Sequence, residues 1–136
     1  MNLNKNVFRE YDIRGIADDD FSGEFPYYLG KAFSSHMIKN KCGNTIAVSG
    51  DVRPSTKRLK KDFINGIKSS GMNIIDIGIL PTPINYFVNY KNKDVDASVQ
   101  ITGSHNPSEY NGFKFTLQKE PFFGDKIKEL YNIMKS

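Results

Sequence analysis

The sequence predicts an α/β fold, a three-layer α/β/α sandwich around a mixed, mostly parallel sheet. Three observations lead there. Segments of alternating apolar residues take turns with segments of helical apolar period, the order that places a parallel sheet between helical layers. The run NIIDIGIL at 73–80 is too continuously apolar for a half-exposed strand and belongs in a sheet covered on both faces. The length of 136 residues, 38% of them hydrophobic, suits one core, so residues 1–136 read as a single domain.

Taken in order, residues 7–16 have strand character up to Gly15, and the pattern leaves the direction of this strand open. Phe25, Tyr28, Leu29, Ala32, Phe33 and Met37 then form a helical stripe, with His36 on its edge as a packed core histidine and Gly43 as its C-terminal cap. Residues 45–48 are a short β-branched strand leading into Ser49-Gly50-Asp51. In GDVRPST, Asp51 and Arg53 are placed to pair and Ser55 to cap the next helix. That helix turns Leu59, Phe63, Ile64 and Ile67 to one side and closes at Gly71. Lys57, Arg58, Lys60 and Lys61 form its solvated face.

After the apolar run, Pro81-Thr82-Pro83 breaks the strand. Thr82 is placed to cap a short helix with Pro83 at its first position and Ile84, Phe87 and Val88 inward. Ala97, Val99 and Ile101 alternate with Ser98, Gln100 and Thr102 in a clear strand. A further strand at 112–117 sets Phe113, Phe115 and Leu117 on one face and Lys114 and Thr116 on the other. Gly124-Asp125 starts a last helix that buries Ile127, Leu130, Tyr131 and Met134.

Composition excludes several classes. No run reaches the ~20 apolar residues of a membrane span. The N-terminal residues lack the apolar core of a secretory signal. Cys42 is the only cysteine, so neither an intramolecular disulfide nor a cysteine zinc site is available, and a reducing cytoplasm is the simplest setting. The net charge of +4 is spread thinly, and no zinc-finger or ribonucleoprotein pattern points to nucleic acid. A small anionic ligand fits this charge as well.

If the strands are parallel, the loops at 49–56, 80–82 and 103–110 share one rim, where ligands gather in such sheets. The third loop lies in ITGSHNPSEYNGFK, residues 101–114. Ser104, held after a glycine in a tight turn, could present its hydroxyl among backbone amides that suit phosphate oxygens. A hydrolase is a poorer fit, because G-x-S-x-G is absent and His105 is too near in sequence to activate Ser104. On spacing alone an ordinary turn is the simpler reading. Lys114 and Arg14 shift the balance, since phosphoryl transfer needs cations at the moving group. Arg14 sits in REYDIRG with Glu10 and Asp12 on the same face, where a pair with Asp12 would equally be structural.

FREYDIRG, GDVRPS, GILPTP and TGSHNPSEYNGFK stand in the order found at the start of α-D-phosphohexomutases. Over nearly its whole length the chain resembles the phosphomannomutase/phosphoglucomutase branch. The resemblance implies that Ser104 carries a phosphoryl group, passes it to a sugar monophosphate to give a bisphosphate, and regains the other phosphate after the sugar reorients. It implies Mg²⁺ bound partly through the phosphate on Ser104. Arg14 and Lys114 would flank the phosphoryl group, His105 would assist proton transfer or substrate contact, and Tyr11 and Asn106 would meet the substrate. The implied partners are a mannose or glucose phosphate and the remaining domains of a longer enzyme. The aspartate-rich DGDxDR metal loop and the later sugar- and phosphate-binding segments are absent from this sequence, so it would be the first domain alone, inactive by itself. Two alternatives stay open. One is a phosphoglucosamine mutase, whose relatives usually have alanine where Gly103 stands; the other is a non-catalytic sugar-phosphate or anion-binding domain.

Overall fold

One six-stranded sheet organises the chain, with strand order β1-β5-β4-β2-β3 and β6 attached to β5. The computed structural model describes residues 3–136. A 3₁₀ turn at Lys5–Val7 precedes β1 (Ile13–Ile16), α1 (Ala17–Asp20), α2 (Phe25–Lys39), β2 (Thr45–Gly50) and α3 (Thr56–Ser69). Then come β3 (Asn73–Ile79), α4 (Thr82–Lys91), β4 (Ala97–Ile101), β5 (Tyr110–Leu117), β6 (Glu120–Pro121) and α5 (Asp125–Lys135).

Strands β2, β3 and β4 are mutually parallel, whereas β5 runs antiparallel to both of its neighbours, β4 and β1. Strand β1 therefore points the same way as β2–β4 although it pairs antiparallel. The sheet is mixed and mostly parallel, as the sequence predicts, and β1 is shorter than the strand-like segment 7–16. The strand register brings the C-terminal ends of β1, β2, β3 and β4 to one rim, together with the start of β5.

The apolar face of the sheet, with Ile46, Val48, Val99, Ile101, Phe113 and Phe115, packs beneath α2 and α3. Phe33 meets Phe115 with ring centroids 4.8 Å apart, and Phe63 meets Phe113 at 5.4 Å. The two helices approach closely enough that a Cβ on Gly66 would lie 1.9 Å from the Tyr27 carbonyl oxygen. Tyr28 of the expected stripe is 37% exposed, and Tyr131 and Met134 are only partly covered. His36 is buried as expected, its Nδ1 3.1 Å from Glu129 and its ring edge-on to Phe122. Lys57 and Lys61 are solvated, whereas Arg58 donates to the Phe21 and Ala17 carbonyls and Lys60 pairs with Asp76.

Several expected caps fall elsewhere. Helix α2 is closed by Lys41, left-handed at φ 54°, with the Cys42 amide reaching back to the Met37 carbonyl. Gly43 instead leaves room for Asp96, whose carboxylate accepts the Asn44 and Thr45 amides. Ser55 stands at the N-cap of α3 without a capping bond, because its Oγ accepts from Asn111. Pro81, not Thr82, is the N-cap of α4, and Pro83 takes its second position.

The opposite sheet face reverses two expectations. It carries Ser49, Ser98, Gln100, Thr102 and Thr116, all buried. Helix α4 covers it with Asn85 and Asn89, while Ile84 and Phe87 face solvent at 47% and 56% exposure. Asn85 is inward because it supplies the donor for the Ser49 hydroxyl and the Val99 carbonyl, which an apolar side chain there would leave unpaired. Strand β3 is an edge strand, and α4 lies over β4 and β2 without covering it. The run 73–80 is therefore not buried on both faces here; Ile79 is 71% exposed.

Candidate active site

Asp51 leaves the end of β2 and anchors the rim. Its Oδ2 accepts the Thr102 hydroxyl at 2.9 Å, the Gly103 amide at 3.1 Å and Arg53 Nε at 3.2 Å. Its Oδ1 accepts the Thr56 hydroxyl at 2.6 Å and the Arg53 amide at 3.1 Å. Burial pushes this carboxyl upward, but the hydrogen bonds from Thr56, the Arg53 amide, Thr102 and Gly103 outweigh it and hold Asp51 below the usual carboxylate range.

Arg53 reaches from there under the 103–110 loop. Its Nη2 donates to the Ser104 and Asn106 carbonyls at 3.0 and 2.6 Å. Its Nη1 donates to those of Pro107 and Tyr110 at 2.5 and 3.1 Å. Glycine at 103 leaves room for the guanidinium: a Cβ there would stand 2.2 Å from Arg53 Cζ and push it off its present bonds. Within the loop, the Ser104 amide donates to Thr102 Oγ1, and the Asn106 amide closes a turn onto the Gly103 carbonyl. Ser104 itself is left-handed, at φ 54°, a conformation costly for a residue with a Cβ and retained where the surroundings enforce it. It is partly exposed, and its Oγ has no hydrogen-bond partner among the described residues.

The second cluster lies on the polar sheet face. Arg14 stands opposite Gly112 and Lys114 opposite Gln100, so both project from the same side of adjacent strands. With Tyr11, Thr82, Tyr86 and Phe123 they line a cavity of about 470 Å³. Tyr11 is 73% exposed and stacks on Phe123 with ring centroids 5.9 Å apart. Arg14 is ion-paired to Asp12 at 2.7 Å. Lys114 has no ion pair or hydrogen bond among the described residues, which leaves it a cation without a counter-charge. Ser104, partly covered Asn106 and exposed His105 sit on the rim loop and do not line this cavity. The structure thus groups Tyr11, Arg14 and Lys114 in one place and Ser104, His105 and Asn106 in another at the same rim. The 80–82 loop is tied to that rim by Gln100 Nε2, which donates to the Leu80 carbonyl at 2.8 Å.

A stiff hydroxyl-bearing loop and, on the adjoining sheet face, an unpaired lysine are each able to receive an anionic group. The donor set does not amount to an Mg²⁺ site: among the described residues no three His, Cys, Asp or Glu side chains gather, and both Asp51 oxygens are engaged. Any such ion near Ser104 would need carboxylates from outside these residues.

Asp51 and Arg53 do pair, as the sequence predicts, but their hold on the loop goes beyond that prediction. The local signal, an Asp and an Arg two positions apart before Pro-Ser, is the same for either role. Asn111, which donates to Ser55 and Thr56, was also missed.

The family described as phosphoglucomutase/phosphomannomutase, alpha/beta/alpha domain I, matches residues 5–136. The chain is 34% identical over 137 residues to a phosphomannomutase/phosphoglucomutase of Pseudomonas syringae pv. tomato, covering 98% of this chain and 28% of the relative. It is 37% identical over 131 residues to a phosphoglucomutase of Neisseria meningitidis serogroup B, covering 96% of this chain and 28% of the relative. Among solved structures, a phosphoglucomutase/phosphomannomutase family protein of Burkholderia thailandensis superposes with a TM-score of 0.91 at 31% identity, over 98% of this chain and 31% of that one. A phosphomannomutase-like structure from Thermus thermophilus, 20% identical with a TM-score of 0.81, shares the fold. The chain thus spans 28% of the length of these curated relatives.

Proposed function

The chain belongs to the phosphoglucomutase/phosphomannomutase family as its α/β/α domain I, and we propose that it is the phosphoserine domain of a hexose-phosphate mutase, with Ser104 as the phosphoryl carrier. The observation that supports this most is Ser104 itself: a left-handed, partly exposed serine with a free hydroxyl, at the rim that also carries Lys114. Such a hydroxyl accepts a phosphoryl group from a hexose bisphosphate and returns it to a hexose monophosphate. Lys114 and Arg14 offset the roughly −1.5 to −2 charges that a phosphoserine carries at neutral pH. His105 shuttles the hydroxyl proton, and Tyr11 and Asn106 contact the sugar. Mg²⁺ is proposed as an ion completed by carboxylates of further domains, which would also enclose the sugar. Mannose and glucose phosphates are the proposed substrates, as the relatives' names suggest.

Two measurements test the proposal. Mass spectrometry of the chain after treatment with glucose 1,6-bisphosphate should find one phosphoryl group on Ser104; a bare serine with the label elsewhere would overturn it. Steady-state assay of residues 1–136 by themselves should find no turnover, because a single domain cannot enclose the sugar and hold it in line. No helix among the described residues is long and apolar enough to cross a membrane.

A further inference from the structure

We infer that Arg53 is the positioning residue of the Ser104 loop, fixing its backbone so that the His105 and Ser108 amides face outward; the functional meaning of this rests on the phosphoryl-site reading above. A guanidinium has five N–H donors in a rigid planar fork. All are engaged: Nε on Asp51, Nη1 on the Pro107 and Tyr110 carbonyls, Nη2 on those of Ser104 and Asn106. No donor is left for a phosphate, so this arginine serves the loop and not the ligand.

The consequence follows from peptide geometry. Across a trans peptide, the carbonyl of one residue and the N–H of the next point in opposite directions, and no cis bond occurs among the described residues. Drawing the Ser104 carbonyl onto Arg53 turns the His105 N–H away from it. The Pro107 carbonyl does the same for the Ser108 N–H. Neither amide has a partner among the described residues, whereas those of Gly103, Ser104, Asn106 and Tyr110 are bonded within the rim. Outward amides on a fixed turn are the donors that receive phosphate oxygens. The same clamp holds the Ser104 carbonyl while that residue keeps its left-handed φ. Lysine could not replace Arg53, because three donors on a point charge cannot span four carbonyls and a carboxylate.

The test uses the ¹⁵N-labelled chain with Arg53→Lys and Arg53→Ala. Amide hydrogen exchange is measured across 103–110 and, as a reference, across β2. Inorganic phosphate is titrated while the amide shifts are followed. Exchange in the loop should rise about tenfold or more in both variants, with β2 unchanged. Phosphate should shift the His105 and Ser108 amides in the parent and not in Arg53→Lys. Millimolar guanidinium ion should restore part of the loop protection in Arg53→Ala, which loss of charge alone would not allow. If Arg53→Ala fails to fold, Arg53→Lys decides. Unchanged loop exchange in Arg53→Lys, or phosphate shifts retained there, would overturn the inference. If loop protection depends on Arg53 yet phosphate moves no loop amide in the parent, the positioning role stands and the phosphoryl-site reading fails.

Discussion

Asn85 donates a hydrogen bond to Ser49 Oγ at 2.7 Å, and both side chains are buried. The same amide also donates to the Val99 carbonyl at 3.1 Å. Helix α4 is therefore joined to the sheet by polar bonds, with Ile84 and Phe87 left in solvent. Asn85→Ala leaves Ser49 and Val99 short of a donor in a buried place and should cost ~1–3 kcal/mol. Phe87→Ser should stay within ~0.5 kcal/mol. Urea denaturation of both variants checks this, and a Phe87→Ser loss as large as that of Asn85→Ala would refute it.

Asp51 makes the rim sensitive to acid. Its folded-state carboxyl lies below the ordinary value, so the unfolded chain binds the proton more readily. The stability it contributes is present above the unfolded value of ~3.9 and is lost as pH falls through the lower folded value. Asp51→Asn should destabilise the chain at pH 7 and flatten its stability profile below about pH 4. Thermal melts of parent and variant across pH 2–7 measure it, and parallel profiles would contradict it.

Ser104 separates strain from function. Ser104→Gly removes the cost of a left-handed residue and should stabilise by up to ~1 kcal/mol after the entropy of glycine is counted. Ser104→Ala should change stability by no more than ~0.5 kcal/mol. Both should abolish phosphoryl uptake from glucose 1,6-bisphosphate, read by intact mass. A clear stability loss with uptake retained would identify an ordinary turn.

Lys114 has no partner for its charge, so Lys114→Ala should leave the melting transition nearly in place, within ~0.5 kcal/mol. Placed in a complete mutase chain, the same change should lower kcat more than it raises KM, because the charge acts mainly in the transition state. A pure rise in KM would instead assign Lys114 to ground-state binding.

Gly66 lets α3 sit against α2. A Cβ there meets the Tyr27 carbonyl oxygen at 1.9 Å, a backbone atom that cannot swing aside. Gly66→Ala should cost ~1–3 kcal/mol as the helices are forced apart, despite the better helix propensity of alanine. Equilibrium denaturation decides the sign.

The sequence by itself determined the α/β order, the core residues under α2 and α3, and the place of the Ser104 loop. Those features depend on local period and turn chemistry: Phe113 and Phe115 alternate with Lys114, and a serine in a Gly-Ser-His-Asn-Pro turn follows a strand wherever that strand goes. It also carried the family, because the motifs are contiguous. The tertiary structure decided what depends on neighbours far along the chain. NIIDIGIL reads as buried on both faces, yet β3 lies at the edge of this sheet, and exposure there is set by what stands beside a strand rather than by its own residues. Ile84 and Phe87 carry an inward-facing pattern, yet α4 turned over because the Ser49 hydroxyl and the Val99 carbonyl beneath it take Asn85 as their donor. Arg53 reads as half of a local ion pair. Only closure of the rim brings four carbonyls from a loop some fifty residues later within reach of its fork, and hydrogen-bond geometry at that range is not written in any local pattern.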